Sequence, residues 1–311
     1  MTLSLVHISH YRASIAQLPT PAAQAKLVAL WLDGKAPSSV VAYRCYIKRF
    51  LAFLRKKPLK SVTYEDLVEY KTTFTHHCES TRRIHLAAVK SLISFAHQIG
   101  YLPFNVGMAL KLGEMPDAIN SRYIDEADVK LLVRAAEKLH DRAKTPKRQE
   151  IARRNVLMIK LLYAAGLRAN ELCHLTWGDL TARGDSGQVY VREGKGNKSR
   201  SILLKPKLWA ELMAFKGDNV KSYDAVFTSQ KGGHLERQNL HPIIKAVVEE
   251  AGLDEKISCH WLRHAHGSHA AERKVNPVLI RDTLGHSDLS VTDRYLRARP
   301  HESSALELMD L

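Results

Sequence analysis

Cysteine is scarce in this sequence and apolar runs are short, and both shortages narrow the classes of protein to which it can belong. The four cysteines, Cys45, Cys78, Cys173 and Cys259, stand far apart and form no Cys-x-x-Cys pair. Structural disulfides and a cysteine zinc cage are therefore not expected. Apolar runs are broken by charge well before the ~18 residues that a membrane helix needs, and no basic stretch leads into an apolar core at the N-terminus. We expect no secretory signal, no membrane partner and a cytoplasmic location.

Acidic residues are few in comparison with basic ones. The chain has 47 Lys and Arg against 32 Asp and Glu, a formal net charge of +15. Residues 1–115 hold 15 of the basic and only 6 of the acidic side chains, so most of the excess lies in the first third of the chain. Such an excess attracts a polyanion, and nucleic acid is the commonest polyanion in the cytoplasm. On charge alone, a soluble enzyme with a high pI is the alternative.

The length of 311 residues and the spacing of apolar residues predict two mostly helical domains. The expected divisions are an N-terminal extension (1–21), a helical domain (22–112), a linker (113–121) and a second domain (122–311) whose tail begins near residue 300. The linker is placed where helical periodicity is lost.

Helix signals are clear in the first domain, where helices are predicted over residues 38–58, 62–75 and 80–100. Ser38 or Ser39 is the expected N-cap of the first helix. Thr63 and Asp66 have the spacing of a capping box before the second. Gly100 is the expected glycine after the end of the third.

The second domain begins with helical periodicity over 124–139 and 154–175. The period then changes in GQVYVREGKGNKSRSILL, where Val189, Val191, Ile202 and Leu204 alternate with polar residues. This alternation predicts a β-hairpin with GKGNKS at its turn, and helices resume after Pro206. The predicted fold is therefore mainly α with a small β-sheet in the second domain.

Four of the sixteen histidines fall within the stretch CHWLRHAHGSH. His260 and His264 are four residues apart and share a helix face, as zinc-binding pairs do. A zinc hydrolase of the His-Glu-x-x-His kind needs a glutamate directly after the first histidine, however, and Trp261 stands there. A zinc site with a distant third ligand stays an alternative. At least two of the four are explained as ordinary core or surface histidines.

A phosphate site is the other interpretation of the same stretch. His260 and Arg263 share a face and combine a proton-transfer group with a bidentate phosphate clamp. Further cations are available: Arg168 follows a glycine in LLYAAGLRANEL, with Glu171 placed to orient it, and Lys195 lies between glycines in the GKGNKSR turn. Considered singly, Arg168 would be explained by a structural ion pair with Glu171, and Lys195 by a solvated position at a turn.

A histidine and a tyrosine complete the set. TLGHSDLSVTDRYLRARP contains His286 and, nine residues later, Tyr295. In this order and spacing the sequence resembles the tyrosine recombinase (phage integrase) family, and every catalytic position of that family is matched: Arg168, Lys195, His260, Arg263, His286 and Tyr295. The resemblance runs from roughly residue 22 to the C-terminus and is greatest to simple Xer-like recombinases. It implies a SAM-like helical core-binding domain followed by a catalytic domain.

The resemblance implies a site-specific recombinase that cleaves and rejoins DNA through a 3′-phosphotyrosyl intermediate. Tyr295 would be the nucleophile, and Arg168 and Arg263 would clamp the non-bridging oxygens of the phosphate. Lys195 would protonate the leaving 5′-oxygen and His260 would assist proton removal from the tyrosine.

His286 would donate a hydrogen bond to the phosphate. No metal and no ATP would be required, so no cofactor is expected. The implied partners are double-stranded DNA with a specific recombination site and further copies of the chain, as a tetramer on paired sites. The sequence names no accessory protein.

Basic residues of the first domain are the candidates for DNA binding. The expected DNA-binding residues are Arg44, Lys48, Arg49, Arg82 and Arg83. Most of their contacts should be to phosphates. A solvated basic face is the alternative.

One departure and two rival functions remain. His266 and His269 stand where the family usually has small or aromatic residues, and no catalytic use is predicted for them. A type IB topoisomerase uses a similar catalytic set, and a catalytically silent DNA-binding regulator could keep the fold.

Overall fold

A computed structural model describes residues 20–113, 123–192, 199–229 and 232–286. The chain divides into two compact units with the boundary at residue 116. Each unit has its own apolar core. In the described parts of the chain, no helix has both the length and the apolar character that crossing a membrane requires.

In the described residues of the first unit, all regular secondary structure is helical. It contains α1 (Thr20–Leu32), α2 (Pro37–Phe53), a 3-10 turn (Leu59–Ser61), α3 (Tyr64–Thr72) and α4 (Glu79–Gln98). Apolar residues at helical spacing bury one face of each long helix, and aromatic rings fill the centre, among them Phe50, Tyr70 and Phe74.

Two of the three helix-end signals in this unit are confirmed. Asp66 accepts a hydrogen bond from the backbone N–H of Thr63 at 2.7 Å, which closes the predicted capping box. Gly100 has a φ of 73° and follows the end of α4, as expected of a C′ glycine. The predicted N-cap of α2 is wrong. Ala36 caps that helix, because a proline fits the first helical position and moves the start upstream of the serines.

The second unit packs helices around a small sheet. Its elements are α5 (Glu126–Asp141), α6 (Pro146–Ala164), α7 (Ala169–Cys173), a 3-10 turn (Trp177–Asp179), β1 (Leu180–Arg183), β2 (Ser186–Val191), β3 (Arg200–Leu204), α8 (Pro206–Phe215), α9 (Arg237–Ala251), α10 (Cys259–Glu272) and α11 (Pro277–Leu284). The predicted fold class, mainly α with a small sheet, is confirmed.

The sheet is antiparallel in the order β1-β2-β3. Val189 pairs with Ile202, and the four predicted inward residues of β2 and β3 are buried. The two hairpin strands are therefore confirmed, while their predicted turn, GKGNKS, lies outside the described residues. Strand β1 was not predicted. It is only four residues long, which is too short to show a clear alternation of apolar and polar residues.

The helix predicted over 154–175 is divided in the structure. It begins earlier, at Pro146, where the Thr145 hydroxyl accepts a hydrogen bond from the N–H of Arg148 at 3.3 Å. It ends at Ala164, and the short helix α7 follows. The break lies at Gly166, whose φ is 57°, a conformation that glycine adopts without strain.

Candidate active site

The break at Gly166 creates the first part of the site. A Cβ built on Gly166 would lie 2.6 Å from Cδ2 of Leu284 at the end of α11, so a larger residue there would require the Leu284 side chain to move. The Gly166 carbonyl accepts a hydrogen bond from Nη1 of Arg263 at 2.6 Å. Two residues later the chain reaches Arg168. The glycine thus brings together the segments that carry the two predicted clamping arginines.

Arg168 is the N-cap of α7 and is held by Glu171. The Arg168 N–H donates to one carboxylate oxygen at 2.8 Å, and Nη1 donates to the other at 2.7 Å. Its Nη2 donates to the carbonyl of Gly285 at 2.8 Å. The side chain remains 27% exposed, so it can meet a ligand. The expected orienting role of Glu171 is visible in these contacts.

Arg263 is almost completely buried, with 3% of its surface exposed. It lies on α10, one turn after His260, and in addition to Gly166 it donates from Nη2 to the carbonyl of Leu284. His260 is exposed on the same helix, and its ring packs edge-on to that of His264 with 4.1 Å between centroids. Helix α10 therefore presents an exposed imidazole and a fixed guanidinium at neighbouring positions.

His286 follows the left-handed Gly285 that ends α11. Burial lowers the pKa of His286 to about 4, and the nearby charges of Arg263, Arg168, Arg200 and His260 act in the same direction. At neutral pH the ring is therefore uncharged and can donate a hydrogen bond without adding another cation. The two carbonyls directly before it, those of Leu284 and Gly285, accept hydrogen bonds from Arg263 and Arg168, which places His286 next to both guanidinium groups.

Four of the six predicted catalytic side chains are thus brought together: Arg168, His260, Arg263 and His286. The other two, Lys195 and Tyr295, lie outside the residues that the structure describes. The catalytic roles of all six stay predictions.

The additional histidines of the motif have structural partners. His266 Nδ1 must donate its hydrogen to the carbonyl of Tyr163, 2.8 Å away, because a carbonyl only accepts. His269 Nε2 donates to the carbonyl of Ile124 at 3.0 Å, and its Nδ1 is hydrogen-bonded to the Tyr163 hydroxyl at 3.0 Å. Both histidines tie α10 to neighbouring segments of its own unit, and His266 fixes it beside the turn that carries Arg168.

The described residues contain no cluster of metal-binding side chains. Among residues 20–113, 123–192, 199–229 and 232–286, no three histidine, cysteine, aspartate or glutamate side chains stand close enough together to hold a metal ion.

Arg200 is the residue of the site that sequence reasoning missed. Its guanidinium donates to both oxygens of Glu171, at 2.9 and 2.7 Å, and its side chain is only 7% exposed. A signal was present in the sequence, because Arg200 has the same parity along β3 as the buried Ile202 and Leu204. Its position beside a basic turn made a solvated cation the more ordinary expectation.

The predicted DNA-binding residues differ in their surroundings. Arg44 and Lys48 are exposed one turn apart on α2. The Arg49 guanidinium lies 4.2 Å from the centre of the Phe74 ring. Arg82 forms an ion pair with Glu79, and Arg83 donates to the carbonyl of Gly113. Arg44 and Lys48 are thus the most accessible of the five.

Comparison with known proteins places the chain in a family. Residues 122–302, more than half of the chain, match the phage integrase family, and residues 27–100 match the phage integrase N-terminal SAM-like domain. The chain therefore belongs to the phage integrase family. It is a tyrosine site-specific recombinase, and the resemblance inferred from the six matched positions is confirmed.

Similar proteins cover most of the chain. The tyrosine recombinase XerD of Vibrio cholerae is 28% identical over 278 residues, which cover 86% of this chain and 88% of the relative. XerD of Oceanobacillus iheyensis is 30% identical over 230 residues, covering 72% and 70%.

Two solved structures show the same fold. Lambda integrase (residues 75–356), solved as a dimer bound to a COC′ core site, matches with a TM-score of 0.68 at 16% identity and covers 90% of this chain and 95% of its own. XerH bound to its difH substrate matches with a TM-score of 0.61 at 22% identity, covering 81% and 72%.

Proposed function

We propose that this recombinase cleaves DNA through a 3′-phosphotyrosyl intermediate in which Tyr295 is the nucleophile. The observation that carries the proposal is the grouping of Arg168, Arg263 and neutral His286 beside the exposed His260. Two guanidinium groups and an uncharged hydrogen-bond donor suit a phosphate on which negative charge accumulates during attack.

Cleavage replaces one ester bond of the scissile phosphate by another. The Tyr295 hydroxyl oxygen attacks the phosphorus, its proton passes to His260, and the bond from phosphorus to the 5′-oxygen breaks. Lys195 donates the proton that turns the leaving oxygen into a 5′-hydroxyl. The phosphotyrosyl bond retains the energy of the broken linkage, so attack by the 5′-hydroxyl of another strand rejoins DNA without ATP. Arg168 and Arg263 supply the electrostatic stabilisation that a metal ion supplies in many nucleases.

The direct test is a nicked suicide duplex, from which the short 5′-hydroxyl fragment diffuses away after cleavage. The expected result is a covalent adduct that survives SDS, carries protein on the 3′ end and forms equally in the presence of EDTA. Cleavage that EDTA abolishes and zinc restores would instead indicate metal hydrolysis. Relaxation of any supercoiled plasmid, without a specific site, would indicate a topoisomerase.

The proposed partner is double-stranded DNA with a specific recombination site, contacted by the domain over 22–112 and the catalytic domain over 122–311. Exposed Arg44 and Lys48 on α2 support a phosphate-binding surface there, to which we also assign Arg49, Arg82 and Arg83. XerH and lambda integrase were each solved bound to such sites. A cytoplasmic location belongs to the same proposal.

Assembly into a tetramer on paired sites is the remaining part of the proposal. After Pro300 the sequence places Ala305, Leu308 and Met309 at helical spacing, in a segment too short to form a stable helix alone. Such a segment gains stability by packing on a neighbouring subunit. Deletion after Arg299 should leave binding to a single site intact and remove the synaptic complex in a native gel. Normal recombination by the truncated protein would contradict the role of the tail.

A further inference from the structure

Arg200 joins three elements of the catalytic unit with one buried side chain. It begins β3, its Nη1 and Nη2 grip the Glu171 carboxylate on α7, and its Nε donates to the carbonyl of Thr283 at the end of α11, 2.7 Å away. All three nitrogens of its guanidinium donate to protein groups, and only 7% of the side chain is exposed.

The Glu171 carboxylate is held from both sides. Arg200 donates to both of its oxygens, and Arg168 donates to both as well, from its backbone N–H and from Nη1. Four donors occupy about as many positions as the two oxygens offer. Burial alone would raise the pKa of Glu171, but the hydrogen bonds and charge of Arg200, together with those of Arg168, lower it to about 2. The carboxylate therefore stays ionised and fixed, and Arg168 is fixed with it.

Three arginines also hold three consecutive carbonyls ahead of His286. Arg200 donates to Thr283, Arg263 to Leu284 and Arg168 to Gly285.

Gly285 makes this arrangement sterically possible. Its φ is 62°, and a Cβ built there would lie 3.0 Å from Nη1 of Arg200. The turn before His286 is therefore fitted to the Arg200 side chain as well as to the two predicted clamping arginines.

We propose that Arg200 is a positioning residue for DNA cleavage, which fixes Arg168 through Glu171 and fixes His286 through the Thr283 carbonyl. The role rests on the proposed function, in which Arg168 and His286 contact the scissile phosphate. Arg200 itself contacts no phosphate and acts on the reaction through these two residues.

Replacing Arg200 by lysine tests the geometry of the side chain separately from its charge. Arg200→Lys keeps the positive charge, but a single ammonium group cannot reach both carboxylate oxygens and the Thr283 carbonyl in the fixed directions of a guanidinium fork. Arg168 then loses its exact orientation without losing its own charge. Displacement of a reacting group by ~1 Å can cost roughly 100-fold in rate, so we expect cleavage to slow by about 10- to 100-fold at saturating DNA.

The discriminating measurement compares two suicide substrates. One has the ordinary scissile phosphate, and the other a neutral methylphosphonate, tested as separate stereoisomers, in which a methyl group replaces one non-bridging oxygen. Arg168→Ala first identifies the isomer that lacks the oxygen contacted by Arg168, because on that isomer the substitution should slow cleavage less than on the ordinary phosphate. On the same isomer, the loss caused by Arg200→Lys should shrink, because a displaced Arg168 no longer matters there, and only the part that acts through His286 should remain.

Arg154→Lys is the matched control. Arg154 is another buried arginine of the same unit, and it donates to the carbonyl of Thr228 and the side chain of Asn155. Both lysine variants should lower the melting temperature. Only Arg200→Lys should show a rate loss that depends on the substrate, and Arg154→Lys should cleave both substrates in the wild-type ratio.

A second variant guards against loss of folding. Glu171→Gln keeps the shape of the side chain and removes the charge that Arg200 and Arg168 share, so it should give the same substrate-dependent loss. Arg200→Lys slows cleavage by displacing Arg168, and Arg168→Lys alters the same residue directly. The double variant should therefore lose less cleavage rate than the product of the two single losses.

The outcomes separate this role from the proposed function. If wild type forms no adduct on the phosphate substrate, the proposed function is wrong and the positioning role is overturned with it. If wild type forms the adduct but Arg200→Lys and Glu171→Gln cleave at the wild-type rate, or lose the same factor on both substrates, only the positioning role is overturned.

Discussion

The cations of helix α2 and those of the catalytic cluster differ in what surrounds them. Arg44 and Lys48 are exposed on a helix surface. Arg263 and Arg200 are 3% and 7% exposed and are held by backbone carbonyls or by a carboxylate. Exposed cations stay hydrated and adapt to a ligand, whereas buried cations need fixed acceptors to offset the cost of losing water.

This difference predicts separate functional consequences. Substitutions on α2 should change how tightly DNA binds and how strongly salt weakens binding. Substitutions in the cluster should change the rate of cleavage at saturating DNA, because the oriented groups stabilise the transition state.

The largest expected effect is that of Tyr295→Phe. The change removes one oxygen and keeps the ring, so folding and site-specific binding should persist within about twofold, while covalent capture should fall below detection because no nucleophile remains. The measurement is the SDS-resistant adduct on the nicked suicide substrate, with a gel-shift titration of binding as the control. An adduct formed by Tyr295→Phe, or one joined through a 5′-phosphate, would show that the nucleophile is wrongly assigned.

Lys195→Ala should have the next largest effect. Loss of general-acid help typically costs ~10²–10⁴-fold in rate, and DNA binding should stay close to that of wild type. A substrate with sulfur at the bridging 5′ position needs no proton on its leaving group, so it should recover much of the lost rate. If the sulfur substrate gives no recovery, Lys195 has another role.

The sequence predicted most of the fold because helices and strands depend on local patterns, and the resemblance to a family named the catalytic set, whose roles stay predictions. The Thr63–Asp66 capping box and the alternation of buried residues in β2 and β3 follow from spacing alone. The network around Arg200 does not, because its partners lie 29 and 83 residues away in the chain and meet only in the folded unit. Neither the number of basic residues nor their order distinguishes a solvated cation from one with buried partners.

Substitution of the two exposed cations of α2 should affect DNA binding and not the rate of cleavage. Arg44→Ala combined with Lys48→Ala should weaken DNA binding by roughly 10- to 100-fold near physiological salt and reduce the salt slope by about two, one for each phosphate contact. The cleavage rate at saturating DNA should stay within about twofold of wild type. Gel-shift titrations across a range of salt concentrations, together with single-turnover cleavage, measure both.

Lys57→Ala combined with Lys60→Ala is the matched control in the same unit. It removes the same formal charge, but Lys57 pairs with Asp66 at 2.6 Å and Lys60 lies over the Tyr101 ring. Its salt slope should stay nearer that of wild type. Equal slopes for the two double variants would mean that total charge, and not the α2 surface, governs binding.

The smallest expected effect concerns acid stability and follows from His286. Burial and the neighbouring arginines lower its pKa to about 4 in the folded protein, whereas an imidazole in an unfolded chain has a pKa near ~6.5. Between these values the unfolded chain binds a proton that the native protein does not, so the free energy of unfolding falls as pH decreases from about 6.5 to 4.

One proton contributes at most ~1.4 kcal/mol per pH unit, and partial exposure of the ring reduces that value through solvent screening. His286→Asn removes the difference in proton binding, so its melting temperature should fall less steeply than that of wild type across this window. Part of the slope should remain, because burial also lowers the pKa values of His85 and His266. At pH 8 the His286 ring is neutral in both states, which makes the comparison there a control for lost packing. A slope identical to that of wild type would mean that His286 is not held neutral among the arginines, and the contrast between hydrated and buried cations would then not extend to this side chain.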